Sequence, residues 1–189
     1  ADGIYLLFNG EIFNYDRERY GSDIEYLVDA FSRYRGESFE MFCALFSPVI
    51  QTWDGFWAIT IYNSVTNEII SFTDPLGRKC LYYNTSGEIA SEIKPLISEN
   101  SPIDESFIST VRKWGYNTDD KTSYGDIKRI LPNNIYNFNL DNPEFKNVYQ
   151  NYYKGFDHPI SELVGKGYEE HMEWLWEKMF ESVRNRLVS

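Results

Sequence analysis

The sequence predicts an α+β fold in which helices and antiparallel strands are packed as separate layers. Two segments between residues 22 and 46 repeat their apolar residues with the period of a helix. Residues 53–91 instead consist of short runs rich in β-branched and aromatic residues, with turn-forming residues between them. The last segment, 168–189, is again strongly helical. Helices and strands therefore occupy different parts of the chain, as in a layered α+β domain.

The composition favours one globular domain with a well-filled core. The 189 residues are 42% hydrophobic and 17% aromatic. The net charge of −11 repels phosphate backbones, so we expect no nucleic-acid partner. No apolar run approaches the roughly 20 residues of a membrane span, and no signal-peptide pattern opens the sequence. We therefore expect a cytoplasmic protein with no membrane partner.

The cysteines and histidines indicate no metal site. Cys43 and Cys80 are the only cysteines, and their spacing is not that of a zinc site. Two thiols in a chain of this length fit a reducing compartment. His158 and His171 are isolated, and we predict that both lie at the surface.

The first predicted strand ends at the dipeptide Asn9-Gly10. Residues 4–8 form an apolar run that is typical of a buried strand. Taken alone, Asn9-Gly10 favours a hairpin turn, because the pair readily adopts positive φ. The alternative is a binding site, in which the strand end presents an amide side chain, a bare backbone N–H and the carboxylate of Glu11. Such a strand end could receive an oxyanion and an ammonium group.

A helix with a capping box is predicted next. Ser22 would cap the backbone while Glu25 reaches back to it. We expect Arg33 and Arg35 in the last turn and Gly36 at the end of the helix. The predicted apolar face consists of Ile24, Leu27, Val28 and Phe31.

A second helix and four strands follow. The helix is predicted over residues 38–46, with Cys43 on its apolar face and Pro48 ending it. From residue 53 the period changes to that of strands. An antiparallel meander is predicted from four strands, at residues 56–62, 68–73, 79–84 and 88–91.

The rest of the chain is predicted to contain two helices, one strand and a linker. One helix begins near Ser101 and ends at Gly115, and a strand over residues 135–140 follows later. Residues 141–167 are rich in Asn, Tyr, Pro and Gly and are interpreted as a linker. The last helix has a stripe of large apolar residues that needs a partner. The stripe consists of Tyr168, Met172, Leu175, Trp176, Met179, Val183 and Leu187.

Five short motifs follow one another along residues 4–140. They are Phe8-Asn9-Gly10-Glu11-Ile12-Phe13-Asn14-Tyr15, Ser22-Asp23 with Glu25, Asp54-Gly55-Phe56-Trp57-Ala58, Asp74-Pro75-Leu76-Gly77-Arg78-Lys79 with Leu81-Tyr82-Tyr83, and Ala90-Ser91-Glu92-Ile93-Lys94. In order and spacing they resemble the glutaminase domain of glutamine-hydrolysing asparagine synthetases. These enzymes are class II glutamine amidotransferases.

The resemblance implies a fold and a domain organisation. Domains of this family have the N-terminal-nucleophile hydrolase fold, a four-layer αββα sandwich with antiparallel sheets. Residues 1–140 would be a partial type 2 glutamine amidotransferase domain, 141–167 a linker, and 168–189 the first helix of a truncated synthetase domain. That synthetase domain would use ATP and Mg²⁺, and no cofactor is expected in this chain.

The resemblance also implies roles for four residues. The side chain of Asn9 and the backbone N–H of Gly10 would form an oxyanion hole. Glu11 and Asp23 would hold the α-ammonium group of glutamine. Asp23 has a second interpretation, because a carboxylate in the first turn also stabilises a helix. Structural, interdomain and ligand-binding roles are all open for a further set, Asp74, Arg78, Ser91 and Glu92.

The nucleophile of the family is expected to be absent from this chain. In the family it is an N-terminal cysteine whose own α-amine acts as the base. The same upstream segment carries two strands and the arginine that clamps the glutamine carboxylate. This sequence begins at Ala1, and Cys43 and Cys80 match no catalytic position. We expect an upstream segment or a companion chain to complete the sheet, and the chain alone to be inactive.

Three functions are compatible with these patterns. The first is the glutaminase part of an asparagine-synthetase-like enzyme, which supplies ammonia for the ATP-dependent amidation of aspartate. The second is a β-lactam-synthetase-like relative, in which the same fold only supports a synthetase. The third is a degenerate, non-catalytic domain that serves as a scaffold or assembly module.

Overall fold

The computed structural model describes residues 3–34, 36, 38–153 and 164–187, and it contains two antiparallel sheets. The larger sheet has the order β1-β2-β3-β7-β8. Its strands are β1 (Ile4–Ile12), β2 (Gly55–Asn63), β3 (Glu68–Thr73), β7 (Asn134–Asn139) and β8 (Asn142–Gln150). The smaller sheet has the order β5-β4-β6 and consists of β4 (Tyr82–Asn84), β5 (Ile89–Ala90) and β6 (Ile127–Arg129). The helices are α1 (Asp23–Phe31), α2 (Phe39–Ile50), α3 (Glu105–Trp114) and α4 (Tyr168–Arg186).

The alternation of side chains along β2 separates two cores. Trp57 and Ile59 pack with the buried residues of α1 and α2 on one face of the larger sheet. Ala58, on the opposite face, packs with residues of the smaller sheet such as Leu81. On the far side of the smaller sheet, α3 covers a cavity together with Tyr82. The order of layers is therefore helix, sheet, sheet, helix, and the predicted αββα fold is confirmed.

The strand β1 is longer than predicted, and the hairpin interpretation of Asn9-Gly10 is wrong. The strand continues to Ile12, and Gly10 lies opposite Trp57 in the ladder. Gly10 has a φ of +155°, and a Cβ at this position would lie 2.1 Å from the carbonyl oxygen of Phe56. Gly55 is placed reciprocally, since its Cβ would lie 2.2 Å from the carbonyl oxygen of Glu11. Glycine is required here for the close approach of two strands.

The first helix begins as predicted and ends early. The Ser22 hydroxyl accepts a hydrogen bond from the Glu25 N–H (3.2 Å), while the Glu25 carboxylate accepts from the Gly21 N–H (2.8 Å). The helix ends at Phe31, so Arg33 lies beyond it, and Arg35 lies outside the described residues. Only half of the predicted face is buried. Leu27 and Phe31 are in the core, whereas Ile24 and Val28 are each 57% exposed.

The second helix continues through Pro48 to Ile50, contrary to the prediction that Pro48 ends it. Proline removes one backbone N–H from the last turn. Ile50 is fully buried in the core beyond it, and we infer that this packing stabilises the last turn. Cys43 faces the same core, as predicted, and burial raises the pKa of its thiol to about 12.

We expect the two thiols to differ strongly in reactivity. In native protein at pH 8, iodoacetamide should alkylate the half-exposed Cys80 and leave Cys43 unmodified, because only the thiolate reacts. The raised pKa also means that the stability gained from the neutral Cys43 thiol is present below about pH 8.5 and is lost as the pH rises towards 12. Peptide mass spectrometry before and after unfolding in urea measures both sites. Equal labelling of Cys43 and Cys80 in the native protein would contradict this expectation.

The third and fourth predicted strands do not continue the meander. They are shortened to β4 and β5 and belong to the smaller sheet, while β3 pairs with β7. The cause lies in the turn after β3. The buried Asp74 carboxylate accepts hydrogen bonds from the N–H groups of Leu76 (3.0 Å) and Lys79 (3.2 Å), which directs the chain out of the first sheet. Cys80 therefore lies in a loop, contrary to the prediction of a strand.

The interpretation of residues 141–167 as a linker is wrong for its first part. Residues 142–150 form β8, which pairs with β7. Tyr152 is fully buried, and its hydroxyl donates a hydrogen bond to the carbonyl oxygen of Thr73 (2.7 Å). Residues 154–163, including His158, lie outside the described residues. The remaining domain division stays a prediction.

The predicted helices α3 and α4 are present. Asp104 caps α3, and Gly115, with a φ of +80°, ends it. The stripe of α4 is exposed along its length, and His171 on the same helix is half-exposed. Near the end of α4, Arg186 forms an ion pair with Asp54 (3.1 Å). No helix in the described ranges is long and apolar enough to cross a membrane.

Candidate functional site

The free edge of β1 carries an outward-pointing backbone N–H at Gly10. In the described part of the chain β1 is the edge strand of its sheet. Trp57, which lies opposite Gly10, directs its carbonyl oxygen away from β1, where it accepts the Asp74 N–H (2.8 Å). Gly10 and Trp57 are therefore a non-hydrogen-bonded pair, and the N–H of Gly10 points away from the sheet. An N–H in this position can donate a hydrogen bond to a ligand at the edge.

Asp23 lies on the same edge. Its Oδ2 accepts a hydrogen bond from the backbone N–H of Ile12 (3.2 Å). Ile12 is two residues beyond Gly10, and outward N–H groups on one edge are about 7 Å apart. The capped N-terminus of α1 holds this carboxylate in place, because Asp23 is the first residue of the helix. The free edge of β1 thus presents a neutral donor, the Gly10 N–H, and the Asp23 carboxylate one after the other along the strand.

Asn9 and Glu11 point to the face of the sheet that meets the smaller sheet. Asn9 lies opposite Ala58, a residue of the core between the sheets, and Glu11 lies opposite Phe56. The ring of Phe56 is contacted by Arg78 (5.6 Å from the guanidinium carbon to the ring centroid) and by Lys79 (5.4 Å from Nζ). Asn9 and Gly10 therefore meet at a corner between this face and the free edge.

A cavity of about 450 Å³ adjoins Asn9. Its other walls come from two loops of the smaller sheet, 78–80 and 91–94. It is lined by Asn9, Arg78, Lys79, Cys80, Tyr82, Ser91, Glu92, Ile93 and Lys94. Burial is the largest cause that raises the pKa of Tyr82. The cavity is thus walled by one neutral phenol, three cationic side chains and one carboxylate.

The four residues whose roles the sequence left open form two pairs. Asp74 is fully buried and has a structural role in its turn, where Arg78 lies 3.8 Å from its carboxylate. Arg78 also donates a hydrogen bond to the carbonyl oxygen of Gly55. Ser91 and Glu92 line the cavity of Asn9.

The sequence did not identify the cavity-lining positions Lys79, Cys80 and Lys94. Lys79 and Lys94 belong to the matching motifs, and Cys80 lies within one of them, but the motifs do not show which side chains approach Asn9. The backbone N–H of Ile12 was also missed, and no sequence signal reveals it, because its partner Asp23 is brought to it by the packing of α1.

A family model described as a glutamine amidotransferase domain matches residues 1–153. The chain belongs to the glutamine amidotransferase family. The resemblance of the five motifs is thereby confirmed at the level of a class II glutamine amidotransferase domain. The matched residues include β8 and Tyr152, which places both within the amidotransferase domain.

Two solved structures are similar to this amidotransferase domain. One is the glutamine phosphoribosylpyrophosphate amidotransferase from B. subtilis complexed with ADP and GMP, with 17% identity, a TM-score of 0.47, and coverage of 79% of this chain and 29% of the other. The second is described as the allosteric regulatory enzyme of purine biosynthesis, with 16% identity, a TM-score of 0.45, and coverage of 76% and 28%. The chain therefore spans less than a third of either structure. No significant match was found among curated protein sequences.

Proposed function

We propose that this chain is the glutaminase part of an asparagine-synthetase-like enzyme and that glutamine binds along the free edge of β1. The observation that supports this most is the row formed by the Gly10 N–H and the Asp23 carboxylate. The Gly10 and Ile12 N–H groups are about 7 Å apart along the strand, and the Asp23 carboxylate lies 3.2 Å from the Ile12 nitrogen. Extended glutamine spans about 6 Å from its α-nitrogen to its amide oxygen, as five successive bonds of ordinary length require. One glutamine can therefore reach both groups.

In this proposal the chain binds the two ends of the substrate. Asp23 on the free edge and Glu11 on the adjoining face hold the α-ammonium group. The Asn9 amide N–H and the Gly10 N–H donate hydrogen bonds to the amide oxygen of the substrate, which becomes an oxyanion in the tetrahedral intermediate. Fixing both ends orients the carbonyl carbon towards the corner between edge and face.

The nucleophile in this proposal is an N-terminal cysteine on an upstream segment or a companion chain. Its thiolate forms a C–S bond to the amide carbon, and its α-amine accepts the thiol proton. Collapse of the intermediate breaks the C–N bond, and ammonia leaves with that proton. Water then cleaves the thioester to give glutamate and restores the thiol.

The same segment would complete the sheet. The edge strand β1 has free backbone groups, and Leu7 on its inner face is 59% exposed. A cavity of about 280 Å³ runs beside Leu7 between the two sheets. An added strand would pair with the edge at residues 4–8, which leaves the Gly10 N–H for glutamine, and would cover the exposed apolar surface.

The ammonia would serve an ATP-dependent amidation of aspartate. In this part of the proposal the synthetase domain follows α4 and carries the ATP and Mg²⁺ sites. The apolar stripe of α4 is exposed, whereas an apolar helix face of this size is normally buried. Its exposure therefore supports the presence of a partner domain that covers it. We also propose that the enzyme is cytoplasmic.

The proposal is tested by substitution of Asp23 in protein that carries the upstream cysteine. In Asp23→Asn the side-chain oxygen can still accept from the Ile12 N–H, but the negative charge is lost. We expect the KM for glutamine to rise by about tenfold or more, with a smaller change in kcat, because charge-assisted hydrogen bonds contribute about 1.5–3 kcal/mol. Asp23→Ala should also destabilise the fold, and urea unfolding separates the two effects.

Cys80→Ser is the matched control for the nucleophile. We expect this variant to keep glutamine hydrolysis, and loss of hydrolysis would assign the nucleophile to Cys80 instead. Absence of hydrolysis in the wild-type protein would favour the scaffold alternatives. An unchanged KM in Asp23→Asn would show that glutamine does not bind along this edge.

A further inference from the structure

A second cavity, of about 370 Å³, lies between α3 and the outer face of the smaller sheet. It is separate from the free edge of β1, although Tyr82 and Ile93 line both this cavity and that of Asn9. Its volume is within the range of small-molecule sites. The lining residues on α3 are Phe107 and Val111, and the floor includes Arg129 of β6.

The helix α3 is well formed but buries none of its residues. The Asp104 carboxylate accepts hydrogen bonds from the N–H groups of Ser106 (2.9 Å) and Phe107 (3.0 Å), and Gly115 closes the other end. Phe107 and Val111 on its apolar face are only half-buried. An amphipathic helix in a domain normally packs this face on a filled core. Here the face forms the roof of the cavity.

Arg129 has a donor without an acceptor. It lies opposite Tyr82 in the ladder, so both side chains are on the outer face of the smaller sheet. Its Nη2 donates to the carbonyl oxygen of Gly77 (3.3 Å), which fixes the guanidinium. Its Nε is buried, and no acceptor lies within hydrogen-bonding distance among the described residues. With one acceptor among the described residues for its five N–H groups, the guanidinium of Arg129 is suited to bind an anion.

The rim of the cavity adds a second cation. Lys121 donates to the hydroxyl of Ser106 (2.8 Å), which holds its ammonium group near the N-terminus of α3. The rim carboxylate, Asp119, already accepts hydrogen bonds from Asn117 Nδ2 (2.6 Å) and the Lys121 N–H (2.9 Å). The hydrogen bond from Asn117 is the main cause that lowers the pKa of Asp119. The cavity therefore combines apolar walls with net positive charge, in a protein of net charge −11.

We propose that this cavity binds a small carboxylate with an aromatic or branched aliphatic tail. The carboxylate accepts hydrogen bonds from the guanidinium group of Arg129, and the tail packs against Phe107 and Val111. Arg129 is hydrogen-bonded to Gly77, the residue that precedes the loop 78–80 of the Asn9 cavity. The ligand would thus contact Tyr82 and Ile93, which also line the Asn9 cavity.

Phenylacetate tests the proposal, because it carries both a carboxylate and an aromatic ring. Acetate has the carboxylate without the ring, and 2-phenylethanol has the ring without the carboxylate. Calorimetry and saturation-transfer NMR on the full 189-residue chain compare phenylacetate, acetate and 2-phenylethanol. We expect phenylacetate to bind at least tenfold more tightly than acetate or 2-phenylethanol. Failure of phenylacetate to bind, or equal affinity for 2-phenylethanol, would overturn the proposal.

Three variants locate the site. Arg129→Gln should weaken phenylacetate binding by tenfold or more. Lys128→Gln is the matched control, because Lys128 is adjacent in β6 but lies opposite Tyr83, whose ring packs between the sheets against Phe138. Val111→Phe should fill the cavity and abolish binding without loss of the folded state, as judged by circular dichroism. Binding that is unchanged in Arg129→Gln or in Val111→Phe would place phenylacetate elsewhere and reject the site.

Discussion

Replacement of Asn9 by alanine should lower the kcat for glutamine hydrolysis by about 10²–10³ in protein that includes the proposed upstream cysteine, because loss of a single oxyanion-hole donor typically has this effect. Asn9 lies at the corner where the inner face of β1 meets its free edge, beside the outward N–H of Gly10. Its amide is proposed to stabilise negative charge that develops only in the transition state. The KM for glutamine should therefore change little.

Asn9→Asp is a useful companion to Asn9→Ala. It keeps the size of the side chain but replaces the amide donor with a negative charge, so it should be at least as inactive. Steady-state kinetics of glutamate release measure both variants, and urea unfolding controls for stability. Asn9 is solvent-exposed, so we expect both variants to fold. A kcat within twofold of the wild type for Asn9→Ala would remove this residue from the oxyanion hole.

Replacement of Gly10 by alanine should destabilise the fold by about 3 kcal/mol or more, because strain at a positive φ is combined with overpacking. The new Cβ would lie 2.1 Å from the Phe56 carbonyl oxygen and 2.7 Å from the Trp57 Cα. Both are backbone atoms of the paired strand, so no side chain can move aside. The two strands would have to separate at the point where the site is built.

Gly115→Ala is the matched control for this effect. Gly115 also has a positive φ, +80°, but no atom lies within 4 Å of a Cβ at that position. Its replacement should cost about 1–2 kcal/mol, from backbone strain alone. Gly55→Ala should be as severe as Gly10→Ala, since its Cβ would meet the Glu11 carbonyl oxygen at 2.2 Å. Urea unfolding of the three variants measures the difference, and equal losses at Gly10 and Gly115 would contradict the close-approach explanation.

Local signals in the sequence predicted the fold well where the structure depends on local chemistry. The strand β3 has the predicted bounds, and the capping residue Ser22 and the end of α3 at Gly115 are as expected. The errors occur where tertiary contacts override such signals. Pro48 stays within a helix whose end is buried, and residues 142–150, whose composition favours a linker, form a strand because β7 offers an edge to pair with.

The candidate site was only partly predicted, because local motifs reveal its residues but tertiary contacts determine their arrangement. The motifs identified Asn9, Gly10 and Asp23, which lie close together in sequence as well as in space. Their arrangement depends on the pairing of β1 with β2, which the sequence pattern did not extend beyond residue 8. The loop that brings Cys80 near Asn9 depends on the turn at Asp74, where one buried carboxylate directs the chain into a second sheet. Such long-range geometry leaves no periodic pattern in the sequence.

Tyr152 has a consequence for how this protein can be divided into parts. A fragment that ends at residue 140 would lack β8, leave one edge of β7 unpaired, and remove a fully buried aromatic ring from the core. The carbonyl oxygen of Thr73 would also lose the hydroxyl that donates to it. The smallest portion that is suitable for separate expression, domain exchange or fusion therefore extends through Tyr153. Another polypeptide could be joined after Tyr153.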